Sequence, residues 1–495
     1  MASARGRRRL AIVGAGASGV AAFVAAVRYG VAESIDLIDP MGIGAGVAFS
    51  AKHAALLCNT SAETMSIVDD QPDDFLNYLR ASGVAATKDT FAPRADVSRY
   101  LTARYEHFAA SARETGIAHR LVKAAAVRIE RRAEGVGDYR LALSDGSVVD
   151  ATDVLVCIGH GTPQVPPEVA PHLGVPLLFE SLYPEQRVLA SLKPRSRVLV
   201  LGSRLSAVDS ALLLCEAGHT VEMASPSGRL PAVRTATPRA CPVEVDTEAL
   251  ARVDLDSTAF SWRLLRIIAR AAQAVGSRPL REQIERTCEP IERMRRETEL
   301  ARRGATDWQQ ILVGYMDAAE ARLRDEPLAL QRRALAECSR VVGRYLFACP
   351  VQNAEKLLGY ANQGRLTVRA GTPARLQPGD RWTVRWRDGA NSDFDAVLCA
   401  TGFNKAPLAA SMNAMILGDA ALGSAPLHVA SDLRVWFDGA TTPERIWTLG
   451  LASQAGTPIV NAVYQAVRQA HDICRAWRAN DMTCQSQRSV VEELE

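Results

Sequence analysis

The chain has 495 residues, 48% of them apolar and 23% charged, with a formal net charge of +3. That length exceeds what one hydrophobic core supports, so two or three domains are expected, and the composition is that of a globular protein. The near-neutral balance offers no clustered basic face for nucleic acid, and the ten cysteines contain no C-x-x-C pair that would suggest a zinc site or redox dithiol.

Dispersed cysteines suit reduced thiols in a cytoplasmic protein. The N-terminus imitates a secretory signal, with Arg5, Arg7, Arg8 and Arg9 ahead of an apolar stretch over residues 10–27. Gly14, Gly16 and Gly19 interrupt that stretch, and a nucleotide-binding strand, turn and helix accounts for it better. No other run is long and apolar enough to span a bilayer, so no membrane partner is expected.

Residues 10–13 read as a strand, 20–28 as a helix of small residues, and 35–38 as a second strand ending on Asp39. This is a βαβ opening with the expected offset between glycines and acid. In such a site one glycine makes the tight turn, one admits a pyrophosphate to the backbone, and one lets helix and strand pack closely. The helix N-terminus offers its N–H groups to the phosphates. Gly14, Gly16, Ser18 and Gly19 are therefore candidate cofactor-binding residues, with Asp39 as acceptor from the ribose hydroxyls.

Residues 42–66 read as an irregular excursion, and 74–79 and 98–108 as helices. A hairpin is expected from 139–143 and 148–149 around Asp145-Gly146, leading into a buried-type strand at 153–158 and then Gly159-His160-Gly161. The pattern repeats with a strand at 198–201, a turn at 202–207 and a helix at 208–216. A second hairpin, 382–386 with Asp388-Gly389, leads into 397–400 and Thr401-Gly402-Phe403. Two units of one architecture say more than either motif alone.

Residues 248–348 lack strand signals and carry an amphipathic face through Leu264, Leu265, Ile267, Ile268 and Ala271. The fold class expected is α/β, with two Rossmann-like dinucleotide-binding domains and a helical insertion. The first domain spans 1–165 and is completed by 395–480; the second spans 166–240 and is completed by 346–394. The insertion spans 241–345, and 481–495 is expected to be a flexible tail.

Gly44, Gly46, Asn59 and Met65-Ser66, then Asp73-Asp74-Phe75-Leu76 and Phe91-Ala92-Pro93-Arg94, resemble bacterial FAD–NAD(P)-binding flavoproteins. These are related to the class B flavin monooxygenases, which include N-hydroxylating and Baeyer–Villiger enzymes. Phe179-Glu180-Ser181-Leu182-Tyr183 is similar to that group's Phe-x-Ser-x-x-Tyr segment, and Ala400-Thr401-Gly402-Phe403 to its Ala-Thr-Gly-Tyr/Phe element. The resemblance covers most of residues 8–230 and 345–470.

It implies FAD in the first half and NADPH in the second. Reduced flavin would meet O2 to give a C4a-(hydro)peroxide that oxygenates a small-molecule substrate. N-hydroxylation of a small amine or amino acid is the leading activity. A Baeyer–Villiger oxygenase, reductase or dehydrogenase on the same frame stays open, as does a flavin-binding scaffold with a degenerate second site.

Such chemistry asks the protein for positioning and exclusion of water, and neither a Ser-His-Asp nor a paired-carboxylate constellation is evident. The eight histidines have no metal-ligand spacing, and His160 is the only one expected near a cofactor. Asn59 and Met65 are candidates beside the isoalloxazine. Gln454, ahead of a helix expected near Pro458, is a candidate at its edge, and Asn59 and Gln454 are the candidate catalytic positions. Gly202, Ser206, Thr401 and Gly402 complete the cofactor-binding set.

The second turn departs from the pattern, because Arg204 stands where the second glycine belongs. Its side chain either blocks the dinucleotide or binds its phosphates. The following strand ends at Met223-Ala224-Ser225 without an acid, with Arg229 nearby, which leans towards NADPH over NADH. Arg94, Arg99, Arg234 and Arg239 are candidate carboxylate binders, with surface or ion-pair roles as the alternative.

Overall fold

Short apolar runs alternating with small-residue helices assemble here into two parallel sheets. The computed structural model describes residues 8–44, 46–132, 137–236, 239, 241, 243–255, 257, 259–274, 279–306, 308–323, 326–424, 427–455 and 462–492. In the first sheet the strands lie in the order Ile446–Thr448, Asp153–Val156, Arg9–Val13, Ser34–Ile38, Ala118–Val122, all parallel. In the second the order is Leu178–Phe179, Ala396–Cys399, Arg197–Leu201, Thr220–Ser225, Leu366–Ala370, again all parallel. The two orders correspond strand for strand, with the strand entering the glycine turn at the centre of each. Central strands are covered on both faces and read as unbroken apolar runs; Val198, Leu199 and Val200 are all fully buried.

Each unit carries an antiparallel hairpin. Tyr139–Leu143 pairs with Val148–Ala151 in the first, and Trp382–Trp386 with Asn391–Phe394 in the second. The strand that follows each hairpin, Asp153–Val156 or Ala396–Cys399, joins the parallel sheet of its own unit. For that reason Ala396–Cys399 pairs with Arg197–Leu201 in the second sheet, and the return to the first unit comes after Cys399 instead of at the expected 395.

Helix Ala17–Tyr29 buries every residue from Gly19 to Val27, enclosed by the sheet, helix Arg94–Glu114 and the last helix, Val463–Glu492. That last helix runs to Glu492, past the start of the expected flexible tail. No glycine or proline interrupts residues 463–492, and Trp477 anchors the helix against Trp447, with ring centroids 5.0 Å apart. The insertion comprises helices Thr247–Ala251, Phe260–Ala274, Leu280–Gln283, Pro290–Arg302, Trp308–Leu323 and Leu328–Leu346. It has its own core around Leu264, Ile268, Trp308, Ile311 and Tyr315.

Candidate functional site

The first turn has its shape imposed by sterics at two glycines. Gly14 donates its N–H to the Ile38 carbonyl at 2.8 Å and sits at φ +102°, where a Cβ would come within 2.7 Å of the Cys157 carbonyl oxygen. A Cβ on Gly19 would lie 1.8 Å from the Gly14 carbonyl oxygen, so helix and turn meet only through a glycine.

Gly16 is under no such pressure. It caps the helix at φ −72°, and the nearest atom to its would-be Cβ is the α-carbon of Gly46, 3.7 Å away. The two glycines therefore lie in near van der Waals contact, and a longer side chain on either would crowd the other or project over the helix end. The helix that opens there has neither a side-chain cap nor an acid in its first turn, leaving its positive end for an anion. These features fit the pyrophosphate of a dinucleotide. Ser18 packs its hydroxyl against Gly450, where a Cβ would lie 2.3 Å from Ser18 Oγ.

Asp39 holds the turn itself. Its Oδ2 accepts the Ala15 N–H at 2.8 Å, and its Oδ1 accepts those of Met41 and Gly42 at 2.8 and 3.1 Å. Backbone N–H groups thus engage both oxygens that the sequence assigns to the ribose. Asn59 keeps a buried Oδ1 with no hydrogen-bond partner, an acceptor suited to a donor on a bound group. Met65, in contrast, is 2% exposed, belongs to the first unit's core and accepts from Thr60 Oγ1 at its sulfur; it presents almost no surface to a ligand. The Gln454 side chain lies outside the described residues, as do residues 456–461, where a helix is expected near Pro458.

The second turn repeats the first. Gly202 donates its N–H to the Ala224 carbonyl at 2.7 Å and sits at φ +130°, with its would-be Cβ 2.4 Å from the Ala400 carbonyl oxygen. Ala207, fully buried, takes the place of the third glycine. Arg204 caps helix Leu205–Glu216 with φ −96° and ψ −164°, close to the −72° and −164° of Gly16. Its side chain is exposed and forms no ion pair or hydrogen bond with any described residue. Ser206 lies in the first turn of that helix, its carbonyl accepting from Ser210 Oγ at 2.8 Å. Ser225, at the strand end where an acid would select NADH, bonds instead to Ser203 at 2.7 Å.

Thr401 and Gly402 enter the crossing between the units. Strands His160–Pro163 and Phe403–Lys405 pair antiparallel there, and Thr401 Oγ1 and the Gly402 carbonyl both bond to the Gln164 backbone. His160 lies on this ribbon, 5.1 Å from Phe403 between ring centroids.

An interface that the sequence reading did not anticipate joins the excursion to the second unit. Arg94 donates to Asp209 Oδ2 at 2.6 Å, to the Ala48 carbonyl at 3.0 Å and to the Leu57 carbonyl at 3.3 Å. The Tyr183 hydroxyl donates to the same Asp209 oxygen at 3.2 Å. Glu185, on the second unit, accepts the backbone N–H groups of Lys52 and His53 at 2.7 and 3.2 Å. Burial pushes the Asp209 carboxyl above the usual aspartate range, against the opposing pull of Arg94, and pushes the neighbouring Cys58 thiol up to about 12. A lone acid in the run 207–215, apolar but for it and Ser210, was the available signal.

The four candidate carboxylate-binding arginines all have work inside the protein. Arg94 pairs with Asp209, Arg99 with Asp96 and Arg239 with Asp69. Arg234 donates to the Tyr345 and Leu346 carbonyls. Among the described residues, no helix is long and apolar enough to cross a membrane and no group of His, Cys, Asp or Glu could hold a metal ion.

Residues 11–161 match the family model described as FAD-NAD(P)-binding. No curated protein matches the sequence. Solved structures align over nearly the whole chain. The ornithine N-hydroxylase of Kutzneria sp. 744, solved with reduced FAD, NADP+ and L-ornithine, is 14% identical with a TM-score of 0.60, covering 96% of this chain and 100% of its own. The ornithine hydroxylase of Pseudomonas aeruginosa is 17% identical with a TM-score of 0.55, covering 95% and 99%. The Erwinia amylovora cadaverine monooxygenase, bound to FAD, is 11% identical with a TM-score of 0.55, covering 94% and 93%. At such identities the likeness establishes the fold. This chain is an α/β protein of two Rossmann-like units, the first of which contains most of the stretch that matches the FAD-NAD(P)-binding model.

Proposed function

We propose that this protein is an FAD- and NADPH-dependent monooxygenase that uses O2 to N-hydroxylate a small amine or amino acid. The observation that carries the reading is the repeated turn. Gly14 and Gly202 make the same hydrogen bond to the end of the adjacent strand and the same close approach to the strand on the other side. One chain thus holds two dinucleotide seats, as a flavin enzyme drawing electrons from a nicotinamide requires. The likeness to three solved amine or amino-acid hydroxylases supports the choice of reaction.

When bound, the flavin supplies electron transfer and oxygen activation. The chain's own residues bind and orient. The backbone at Gly16, bare of side chain, and the uncapped helix end receive the FAD pyrophosphate. The Asn59 amide oxygen accepts a hydrogen bond from the bound group, and Gln454 stands at the flavin edge. Arg204 takes a phosphate of NADPH, with Gly202, Ser206, Thr401 and Gly402 around it. The reading includes a cytoplasmic protein with reduced thiols and no nucleic-acid partner.

The test follows NADPH oxidation, peroxide release and hydroxylamine formation across amines, amino acids and ketones. A substrate amine suppresses peroxide and yields its hydroxylamine by mass spectrometry. A ketone that alone suppresses peroxide and gains oxygen favours the Baeyer–Villiger alternative. Arg204 also favours a second reading, a flavin-binding scaffold whose second seat is closed. A yellow protein that NADPH does not bleach anaerobically would establish that one.

A further inference from the structure

The excursion over residues 42–66 belongs to the first unit by sequence, yet two carboxylates of the second unit hold it. Gly46 packs against Gly16 at the helix end, and Asn59 lies 13 residues further on. Between them, the Ala48 and Leu57 carbonyls both accept from the Arg94 guanidinium. Arg94 therefore ties two points of the excursion together, one on the approach to Gly46 and one beside Asn59. What fixes Arg94 is Asp209, 1% exposed, on the helix that follows the second glycine turn.

We propose that Asp209 is a positioning residue for the flavin site of the opposite unit, setting through Arg94 the excursion that packs against the pyrophosphate turn. The inference rests on the FAD reading of the first unit. Asp209 itself touches no cofactor atom in this account. Its carboxylate sets the Arg94 guanidinium, which sets the Ala48 and Leu57 carbonyls, and these set the excursion carrying Gly46 and Asn59. Tyr183 holds the same Asp209 oxygen from the segment entering the second unit. Glu185 adds an independent hold on Lys52 and His53, so the excursion stays attached when Asp209 is changed.

The geometry also explains why an arginine is required. A lysine keeps the charge but cannot reach a carboxylate and two carbonyls with fixed, diverging donors. Asp209→Asn leaves a buried guanidinium without its counter-charge, whereas the double variant Asp209→Asn, Arg94→Gln removes both charges together.

The experiment titrates FAD into apoprotein by flavin fluorescence, alongside trypsin cleavage after Lys52, which is exposed. Asp209→Asn and Arg94→Lys should each weaken FAD by about tenfold or more and speed cleavage at Lys52. Asp209→Glu should recover part of the affinity, and the double variant should bind better than Asp209→Asn alone. Glu222→Gln is the control, because Glu222 pairs with Arg197 and Arg369 within the second sheet. Its loss should leave FAD affinity within about twofold of wild type.

FAD affinity unchanged in both Asp209→Asn and Arg94→Lys overturns the inference, as does an equal loss in Glu222→Gln. If Asp209→Asn does not fold, Arg94→Lys decides. Wild-type protein with no affinity for FAD would overturn the flavin reading itself, an outcome distinct from equal affinity in wild type and variants.

Discussion

Gly46 places its α-carbon 3.7 Å from the position a Cβ on Gly16 would take, so the two glycines pack closely and leave the helix end bare of side chain. Gly16→Leu should cover the helix end meant for the pyrophosphate without straining the backbone, because Gly16 has an ordinary negative φ of −72°. The expected product is folded apoprotein with a circular dichroism spectrum like wild type. Gly19→Ala should behave differently, since its Cβ would meet the Gly14 carbonyl oxygen at 1.8 Å; it should lose the fold together with the flavin. Full flavin occupancy in purified Gly16→Leu would remove the pyrophosphate from this turn.

At the second turn, Arg204→Ala separates a phosphate ligand from an obstruction. Loss of a charge-assisted hydrogen bond worth roughly 1.5–3 kcal/mol should weaken NADPH about ten- to a hundredfold. Stopped-flow reduction at several NADPH concentrations measures this. Faster reduction or tighter binding in both Arg204→Ala and Arg204→Gly would mean that the side chain closes the seat.

Acid should destabilise the protein through histidines held neutral. His219 and His471 are 4% and 2% exposed. Burial holds both below the ordinary histidine value, with nearby Arg365 adding to the effect at His219. His219 also uses its Nδ1 lone pair to accept the Ser196 N–H at 3.2 Å. The unfolded chain takes up these protons first, so stability is full above about pH 6.5 and falls as pH drops below it. Melting temperatures between about pH 5 and 8 should show that slope, and His219→Gln should flatten it. A melting temperature that rises on acidification would contradict the sign.

Thiol chemistry should divide the cysteines by depth. Burial pushes Cys58, Cys338, Cys399 and Cys474 each up to about 12, so little thiolate is available at neutral pH. Cys288 is exposed and Cys241 half-buried. Native protein should label first at Cys288, and denatured, unreduced protein should titrate all ten thiols. Peptide mapping after brief alkylation checks the order.

What could be read without coordinates was local. The Gly14 and Gly202 turns, the two hairpins and the central strands announce themselves through glycine spacing and unbroken apolar runs. Two edge strands were missed because they carry charge, since Ala118–Val122 includes His119 and Arg120 and Leu366–Ala370 includes Arg369; the other two, Leu178–Phe179 and Ile446–Thr448, are uncharged but too short to show a period. The Asp209–Arg94 pair spans 115 positions, and no local pattern reports such a contact. Asp39 reads as a ribose acceptor from its place after the second strand, and Met65 as a neighbour of the isoalloxazine from the family resemblance; neither signal reports what else those side chains engage. Whether a carboxylate is already engaged by backbone, or a thioether already enclosed, depends on segments folded over it from elsewhere. The boundary at 395 was open to correction from the repeat itself, since the strand that follows each hairpin should join the sheet of its own unit.

The ribbon between the units has an engineering consequence. Pro163 and Phe403 are register partners on neighbouring strands, about 5 Å apart by ordinary strand spacing. Residues 164–402 therefore leave and rejoin at a single doorway, and form a cassette whose two ends are neighbours in space. Excising it and bridging Pro163 to Phe403 with a few glycines would leave the first unit as one continuous chain. Conversely, a foreign domain with closely spaced termini could be spliced into the same doorway without displacing a strand of either sheet's centre.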